Sequence, residues 1–330
     1  MDKTLCNGNA FSNFHDLFLE LLDEHQHKFE YKNQPRGLNQ REKIMTSFTL
    51  TNPIERCVLS EQRKANIVFQ YAEFLWYLSG DDKLDFIGHY SPRIRRFSQD
   101  GIHLTGTAYG KKIFSYDNIV NQWKWIVKEL KTDPDSRRCV ITILDPKEML
   151  IENNIDMSCT LSLQFLLRNG QLHMITTMRS NDIFTGVVSD VFSFTMMQEL
   201  MANELGVDVG IYHHQVGSSH LYEDKIVKTE LILEKRRKYS EYQIAFPRIP
   251  MGDNWEYIDK VLKLERTIRL RLKDKEFANK KDELPKYWRD VVTLFEIYEV
   301  GMREERENDM QQLIESLHPY LQYMVRMKYC

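Results

Sequence analysis

The stretch Cys159-Thr-Leu-Ser-Leu-Gln-Phe-Leu-Leu-Arg-Asn-Gly-Gln-Leu-His-Met-Ile-Thr-Thr-Met-Arg-Ser-Asn-Asp182 decides how the chain folds. At its middle, Asn169-Gly170 separates two runs rich in apolar residues, the strongest short-range signal for a tight two-residue hairpin. Strands are therefore predicted from Thr160 to Leu167 and from Gln171 to Thr177. Cys159 then stands at the start of a strand.

Working outward, the flanks read as helices. Phe11, Phe14, Leu17, Phe18, Leu21 and Leu22 recur at helical spacing, and the helix they define ends near Lys28. A second helix, about Gln62 to Ser79, turns Ile67, Val68, Tyr71, Leu75, Trp76 and Leu78 to a core and closes on Gly80. Glu73 lies within this apolar segment. A third helix is predicted from about Ile119 to Leu130, followed by the turn Thr132–Ser136 and a β-rich segment from Arg137 to Leu144. Val191 to Leu205 is nearly all apolar, a pattern for a buried central helix ended by Gly206. A strand from Gly210 to Gln215 and a helix from Tyr222 to Arg237 complete the unit. Hairpin strands mixed with long helices make the class α+β, or mixed α/β, rather than a regular βαβ repeat.

Past Tyr239 the character changes. Pro247, Pro250 and Gly252 mark a linker, and the remainder is charged at helical spacing. The chain thus divides into residues 1–245 and a helical extension, 246–330. The runs Glu234–Lys238 and Arg303–Glu307 read as solvated faces.

Composition narrows the function classes. Apolar residues make up 42 % and aromatics 12 %, a globular proportion, while 45 basic and 48 acidic side chains leave a net charge of −3. A protein that coats nucleic acid would carry a strong positive field, so no nucleic-acid partner is expected. No apolar run reaches bilayer length and the polar start lacks a signal pattern, so the expectation is a cytoplasmic protein without membrane contact. The five cysteines, Cys6, Cys57, Cys139, Cys159 and Cys330, form no CxxC pair, which argues against disulfide frameworks and zinc sites. His213, His214 and His220 share no ligand-like spacing with a carboxylate or cysteine, and no metal is expected.

Around Cys159 gather Met178-Arg-Ser-Asn-Asp182, Gly186-Val-Val-Ser-Asp190 and His220-Leu-Tyr222. One thiol, phosphate-suited donors and a carboxylate able to read a base edge suit covalent chemistry on a nucleotide. Cys159 alone would be an inert core thiol more often than a nucleophile. Arginines that hold a phosphate would also favour its thiolate.

Six motifs in order make residues 36–240 resemble the thymidylate synthase and pyrimidine-nucleotide hydroxymethylase superfamily. They are Glu73–Asp81, Thr107–Lys111, Asp133–Arg138, Cys159, Arg179–Asp182 and His220–Tyr222. The resemblance implies a thymidylate synthase-like fold, a mixed sheet flanked by helices. It implies Cys159 as nucleophile at C6 of a pyrimidine, Glu73 as general acid-base and 5,10-methylenetetrahydrofolate as co-substrate. Arg179 and Ser180 would bind the 5′-phosphate, and His220 and Tyr222 the sugar. Asp182, Gly186 and Tyr109 would face the folate. Arg137 and Arg138 would arrive from the partner of a homodimer with shared active sites. Arg36 would be a further phosphate ligand, although a surface salt bridge is the favoured reading there.

Departures from the methylating members bear on the substrate. They carry Asn where this chain has Asp190, and cytosine presents an N3 acceptor and an N4 donor, the reverse of uracil. Asp190 therefore points to a cytidylate, deoxycytidylate before cytidylate, although Asp190 could instead cap a helix starting at Val191. No tryptophan lies between Trp76 and Trp123, and Thr160 replaces the usual histidine. The terminus Met327–Cys330 is also unfamiliar. These features favour a 5-hydroxymethyl product over a methyl one. The alternatives are methylation or hydroxymethylation of deoxyuridylate, and a catalytically silent nucleotide- or RNA-binding regulator.

Overall fold

The computed structural model describes residues 10–302 and 307–330; Cys6 and the Arg303–Arg306 part of the charge run lie outside the described residues. In chain order the elements are β1 (Ala10–Phe11), α1 (Phe14–His27), β2 (Tyr31–Asn33), β3 (Gln40–Leu50), α2 (Ile67–Ser79), α3 (Leu84–Tyr90), α4 (Tyr109–Ser115), α5 (Gln122–Thr132) and β4 (Val140–Thr142). Next come β5 (Thr160–Arg168), β6 (Gln171–Asp182), α6 (Gly186–Leu205), β7 (Asp208–Tyr222) and α7 (Ile226–Glu234). The helices α8 (Trp255–Arg269), α9 (Phe277–Asp282), α10 (Lys286–Gly301), α11 (Glu307–Ser316) and α12 (Pro319–Tyr329) follow.

One mixed sheet organises them in the order β1-β3-β7-β6-β5-β4, with β2 on β3. β5 and β6 form the predicted hairpin, and Asn169 and Gly170 both take positive φ, 51° and 73°. β6 and β7 run parallel, placing Asp182 beside His220. That crossover is made by α6, whose Val191, Phe192, Phe194, Met196 and Met197 are fully buried. The predicted central helix is thus in place, and the architecture is α+β.

Several boundaries move for local reasons. α2 starts at Ile67 rather than Gln62 because the Ser60 carbonyl accepts the Arg63 and Lys64 N–H groups at 3.1 and 2.9 Å, closing a separate turn. Asn66 then caps α2, its side chain accepting the Phe69 N–H at 3.2 Å. α5 starts at Gln122 rather than Ile119 because Asp117 and Asn118 take positive φ. α6 begins at Gly186, so Asp190 sits inside the helix and does not cap it. β7 is longer than predicted, α7 shorter, and β3 carries no apolar alternation that would have revealed it.

Of the helices beyond residue 250, α8, α10 and α12 pack against α2. Tyr287 Oη lies 3.2 Å from Tyr71 Oη, Trp288 is fully buried and donates its indole N–H to Asn254 Oδ1 at 2.8 Å, and Tyr323 Oη donates to the Leu59 carbonyl at 3.3 Å. Tyr329 Oη donates to Asn66 Oδ1 at 3.0 Å, tying the last helix to the cap of α2. No helix among the described residues is long and apolar enough to cross a membrane.

Candidate active site

Cys159 immediately precedes β5, in a loop held from two sides. From β6, the Arg179 N–H donates to the Cys159 carbonyl at 2.8 Å. Its guanidinium donates to the Ser158 and Met157 carbonyls, each at 2.9 Å, and its Nη2 lies 3.7 Å from Cys159 Sγ. From below, Glu148 accepts the Ser158 N–H at 2.7 Å and pairs with the Lys112 ammonium, which also reaches Ser158 Oγ at 2.5 Å. This buried pair had no signal in the sequence, since its members lie far apart and join only through the loop.

The expected depression of the thiol is not observed. Burial pushes the Cys159 thiol above its ordinary value, and the opposing Arg179 and Arg36 charges only partly offset it. The reason is geometric: Arg179 spends its donors on loop carbonyls, and Asp190 adds an opposing negative field.

Glu73 of α2 and Asp190 of α6 supply the buried carboxyl groups. Ser193, one turn beyond Asp190, donates to Glu73 Oε2 at 3.4 Å. Burial, then the Asp190 charge, pushes Glu73 up to about 8. Burial pushes Asp190 up to about 7, against a hydrogen bond from Asn181 Nδ2 to Asp190 Oδ2 at 3.1 Å. Both groups therefore hold a proton over much of the neutral range. Gly186 lets the chain pass close: a Cβ there would stand 2.9 Å from Asn181 Oδ1 and 3.6 Å from Asp190 Oδ2.

Tyr109 is buried rather than laid open to a ligand. Its ring stacks on Tyr77 at 5.1 Å, and its hydroxyl accepts the Thr160 N–H at 3.4 Å, bracing the residue after the cysteine. Gly110 permits this, because a Cβ there would fall 2.0 Å from the Tyr77 carbonyl oxygen.

The residues expected to meet sugar and phosphate, Ser180, His220 and Tyr222, converge from β6 and β7. Ser180 pairs with Ser218 and Asp182 with His220, while the His220 and Tyr222 rings meet edge to face at 4.9 Å. Asp182 Oδ1 accepts the Phe184 N–H at 2.9 Å. Arg36 joins them, correcting the surface-salt-bridge reading. It forms no ion pair among the described residues, and its guanidinium hydrogen-bonds Tyr222 and acts on Cys159 and His220. It holds φ at 53° ahead of Gly37 at 78°, a conformation unusual for arginine.

Arg137 and Arg138 lie elsewhere. The register of β4 on β5 puts Val140 opposite Gln164, so Arg138 stands level with Leu166. That is seven strand residues from Cys159, roughly 20 Å at the rise of an extended chain. Arg138 pairs instead with Glu129 at 2.5 Å.

Three buried polar atoms near the thiol have no partner: Thr160 Oγ1, Asn181 Oδ1 and His220 Nδ1. Such groups are costly unless something polar satisfies them, so the cleft suits a ligand rich in donors and acceptors. Sequence reasoning also missed a group of cations beside Asp182. Arg63 donates to the Phe184 carbonyl at 3.0 Å and lies over its ring at 4.8 Å, with Lys228 on the same ring at 5.8 Å. Arg63, Lys64 and Lys328 all depress the Lys228 ammonium after burial does, which places Lys328 of α12 within this field. His213 bonds Thr49 at 3.0 Å and His214 bonds Tyr212 at 2.7 Å, separate partners on separate sides.

Comparison with known proteins identifies the family. Residues 12–263 match the thymidylate synthase family profile. The chain is similar to the deoxyuridylate hydroxymethyltransferase of Bacillus phage SP01, 34 % identical over 202 residues, covering 58 % of this chain and 52 % of that protein. It is similar to the deoxyuridylate hydroxymethyltransferase of Pseudomonas phage M6, 32 % identical over 178 residues, covering 53 % and 50 %. It is also similar to the thymidylate synthase of Aster yellows witches'-broom phytoplasma (strain AYWB), 24 % identical over 230 residues, covering 61 % and 79 %. The chain spans about half the length of the two phage relatives. With three quarters of its length in the match, the chain belongs to the thymidylate synthase family.

Proposed function

We propose that the protein transfers a one-carbon unit to C5 of a cytidine monophosphate, deoxycytidylate before cytidylate, and releases the 5-hydroxymethyl nucleotide. The observation that carries the base assignment is Asp190, a carboxyl group sunk beside Cys159 and pushed up to about 7 by burial. In its neutral form it offers cytosine one donor for N3 and one acceptor for the N4 amino group.

The chemistry divides among the residues. Cys159 as thiolate adds to C6, the C5–C6 double bond opens, and C5 becomes the nucleophile. 5,10-methylenetetrahydrofolate, when bound, supplies the one-carbon unit at the methylene level. Arg63, Lys64, Lys228 and Lys328 form a field suited to its glutamate carboxylates. Arg179, Ser180 and Arg36 hold the phosphate, His220 and Tyr222 the sugar, and Asp182 and Gly186 border the folate side. Glu73, pushed up to about 8, moves protons to and from the base and orders water. Loss of the C5 proton, with the bond from the new carbon to the folate nitrogen breaking at the tetrahydrofolate level, would open that carbon to water. Addition of water there and expulsion of the Cys159 thiolate from C6 would restore the C5–C6 double bond and leave the hydroxymethyl group, with no oxidation of the folate. Arg137 and Arg138, remote from Cys159 of their own chain, would complete the phosphate site of a partner protomer in a homodimer that works in the cytoplasm.

The phage relatives favour a second reading, the same reaction on deoxyuridylate, since both are named for that substrate. Incubation with methylenetetrahydrofolate and each of dCMP, CMP, dUMP and UMP, with products identified by mass, separates them. Hydroxymethyl-dCMP as the main product supports the proposal. Hydroxymethyl-dUMP supports the second reading, and a methylated product overturns the hydration step.

A further inference from the structure

Behind Asp190 lies a buried chain of hydrogen-bonding groups. Asn181 Nδ2 stands 3.1 Å from Asp190 Oδ2 and 3.4 Å from His214 Nε2, and His214 Nδ1 stands 2.7 Å from Tyr212 Oη. Phe48 stacks flat on His214, with ring centroids 4.7 Å apart and planes at 5°. All three members are buried: Asn181 is 3 % exposed, and His214 and Tyr212 are 0 % exposed. We propose that Asn181, oriented by His214 and Tyr212, is a positioning residue that fixes which oxygen of Asp190 carries the proton and thereby decides which pyrimidine is accepted. The inference rests on the reading that Asp190 faces the base.

A neutral carboxyl group is by itself ambiguous. It offers one donor and one acceptor, and exchanging them between its two oxygens turns a cytosine-reading edge into a uracil-reading edge. Discrimination therefore requires that the proton be held on one oxygen. The carboxamide of Asn181 does this by donating one hydrogen to Asp190 Oδ2 at 3.1 Å and sharing the other between Met178 Sδ at 2.8 Å and His214 Nε2 at 3.4 Å. Oδ2 is thereby an acceptor, and the proton resides on Oδ1.

The direction is enforced from behind. Burial holds His214 neutral, pushing it down to about 3, so its ring always has one donor and one acceptor nitrogen. With Nε2 accepting from Asn181, Nδ1 carries the hydrogen and donates it to Tyr212 Oη. A half-turn of the carboxamide would reverse every bond. Tyr212 would donate to Nδ1, Nε2–H to Asn181 Oδ1, and Asp190 Oδ2–H to the same oxygen, leaving the base no donor. The two orientations thus present different edges, and the relay selects between them.

The test uses the equilibrium affinities of the full-length protein for dCMP and dUMP, measured by calorimetry at pH 7. The ratio of the two affinities is the readout, because a purely structural defect would weaken both nucleotides alike. Asn181→Ala is expected to move the ratio toward one by about tenfold, the cost of one misdirected buried hydrogen bond. Tyr212→Phe, which keeps shape and lies remote from the nucleotide, is expected to shift it the same way by a smaller factor. If Asn181→Ala does not fold, the Tyr212→Phe ratio decides. An unchanged ratio in the folded variants, or a wild type that binds both nucleotides equally, overturns the proposal. Asp190→Asn, measured in parallel, separates the two layers. A ratio that responds to Asp190→Asn but not to the relay variants sinks the relay alone, and one that responds to neither sinks the base reading as well.

Discussion

The Arg179 guanidinium approaches Cys159 Sγ to 3.7 Å while the same group holds the carbonyls of Met157 and Ser158. One side chain thus fixes the backbone of the Cys159 loop and adds its charge to the field on the thiol. Its positive charge is outweighed by burial, so the resting protein holds a protonated sulfur at neutral pH.

That balance sets the pH dependence of thiol reactivity. Alkylation of Cys159 by iodoacetamide should be slow at pH 7 and rise steeply above the ordinary thiol range, since only the thiolate reacts. Arg179→Ala should displace the profile further toward alkaline pH, because the charge it removes favours the thiolate. Mass spectrometry of the peptide containing Cys159, followed over pH, provides the check. A half-maximal rate near pH 7 in the unliganded wild type would contradict the balance described.

The roughly 20 Å of strand between Arg138 and Cys159 leads to a complementation experiment. Cys159→Ser should abolish turnover and C5 hydrogen exchange, and Arg138→Ala should cripple phosphate binding. Mixed in equal amounts and allowed to exchange subunits, the two should recover about a quarter of the wild-type sites, by the reciprocity of a two-fold interface. No recovery after demonstrated exchange would exclude sites shared between protomers.

Glu73 and Asp190 carry a stability cost that depends on pH. Their folded-state pKa values, about 8 and about 7, lie above the ordinary carboxyl range. In the unfolded chain both lose their protons above about pH 4, so the fold is penalised progressively as pH rises from there through the folded values. Glu73→Gln and Asp190→Asn should therefore each raise stability at pH 8, by on the order of 1–3 kcal/mol, with no gain at pH 4. Urea unfolding at the two pH values measures this, and a gain of equal size at both would show that ionisation is not its source.

Trp288 tests how far the later helices share in the core. It is fully buried and bonds Asn254. Trp288→Ala should cost about 3–5 kcal/mol through the cavity it leaves, in one cooperative transition. A separate early transition, with the Cys159 region unaffected, would mark the later helices as an independent unit.

What was legible in the sequence depended on local chemistry. Asn169-Gly170 announced its hairpin because only such residues take two consecutive positive φ values readily, and Gly80 announced the end of α2 for the same reason. β3 stayed hidden because its Gln-Arg-Glu-Lys start is polar and its register is set by pairing with β7. The motif residues Cys159, Arg179, Glu73 and Asp190 were readable one by one. The sign of the thiol's shift was not, because burial and the competing carbonyls of Met157 and Ser158 exist only in the folded loop. Lys112 and Glu148, likewise, acquire meaning only once Ser158 lies between them.

The bond from Tyr329 to Asn66 gives the terminal helix an influence on the first turn of α2. Asn66 also accepts the Phe69 N–H, so fraying of α12 would loosen the turn from which Glu73 projects one further turn along. In native-state hydrogen exchange the amides of Phe69 and its neighbours should then open together with those of α12, as one cooperative unit joining residues 263 positions apart in the sequence. Crosslinks, ligands or crowding agents that quiet the end of the polypeptide would, through that unit, sharpen the placement of a carboxyl group that they never touch.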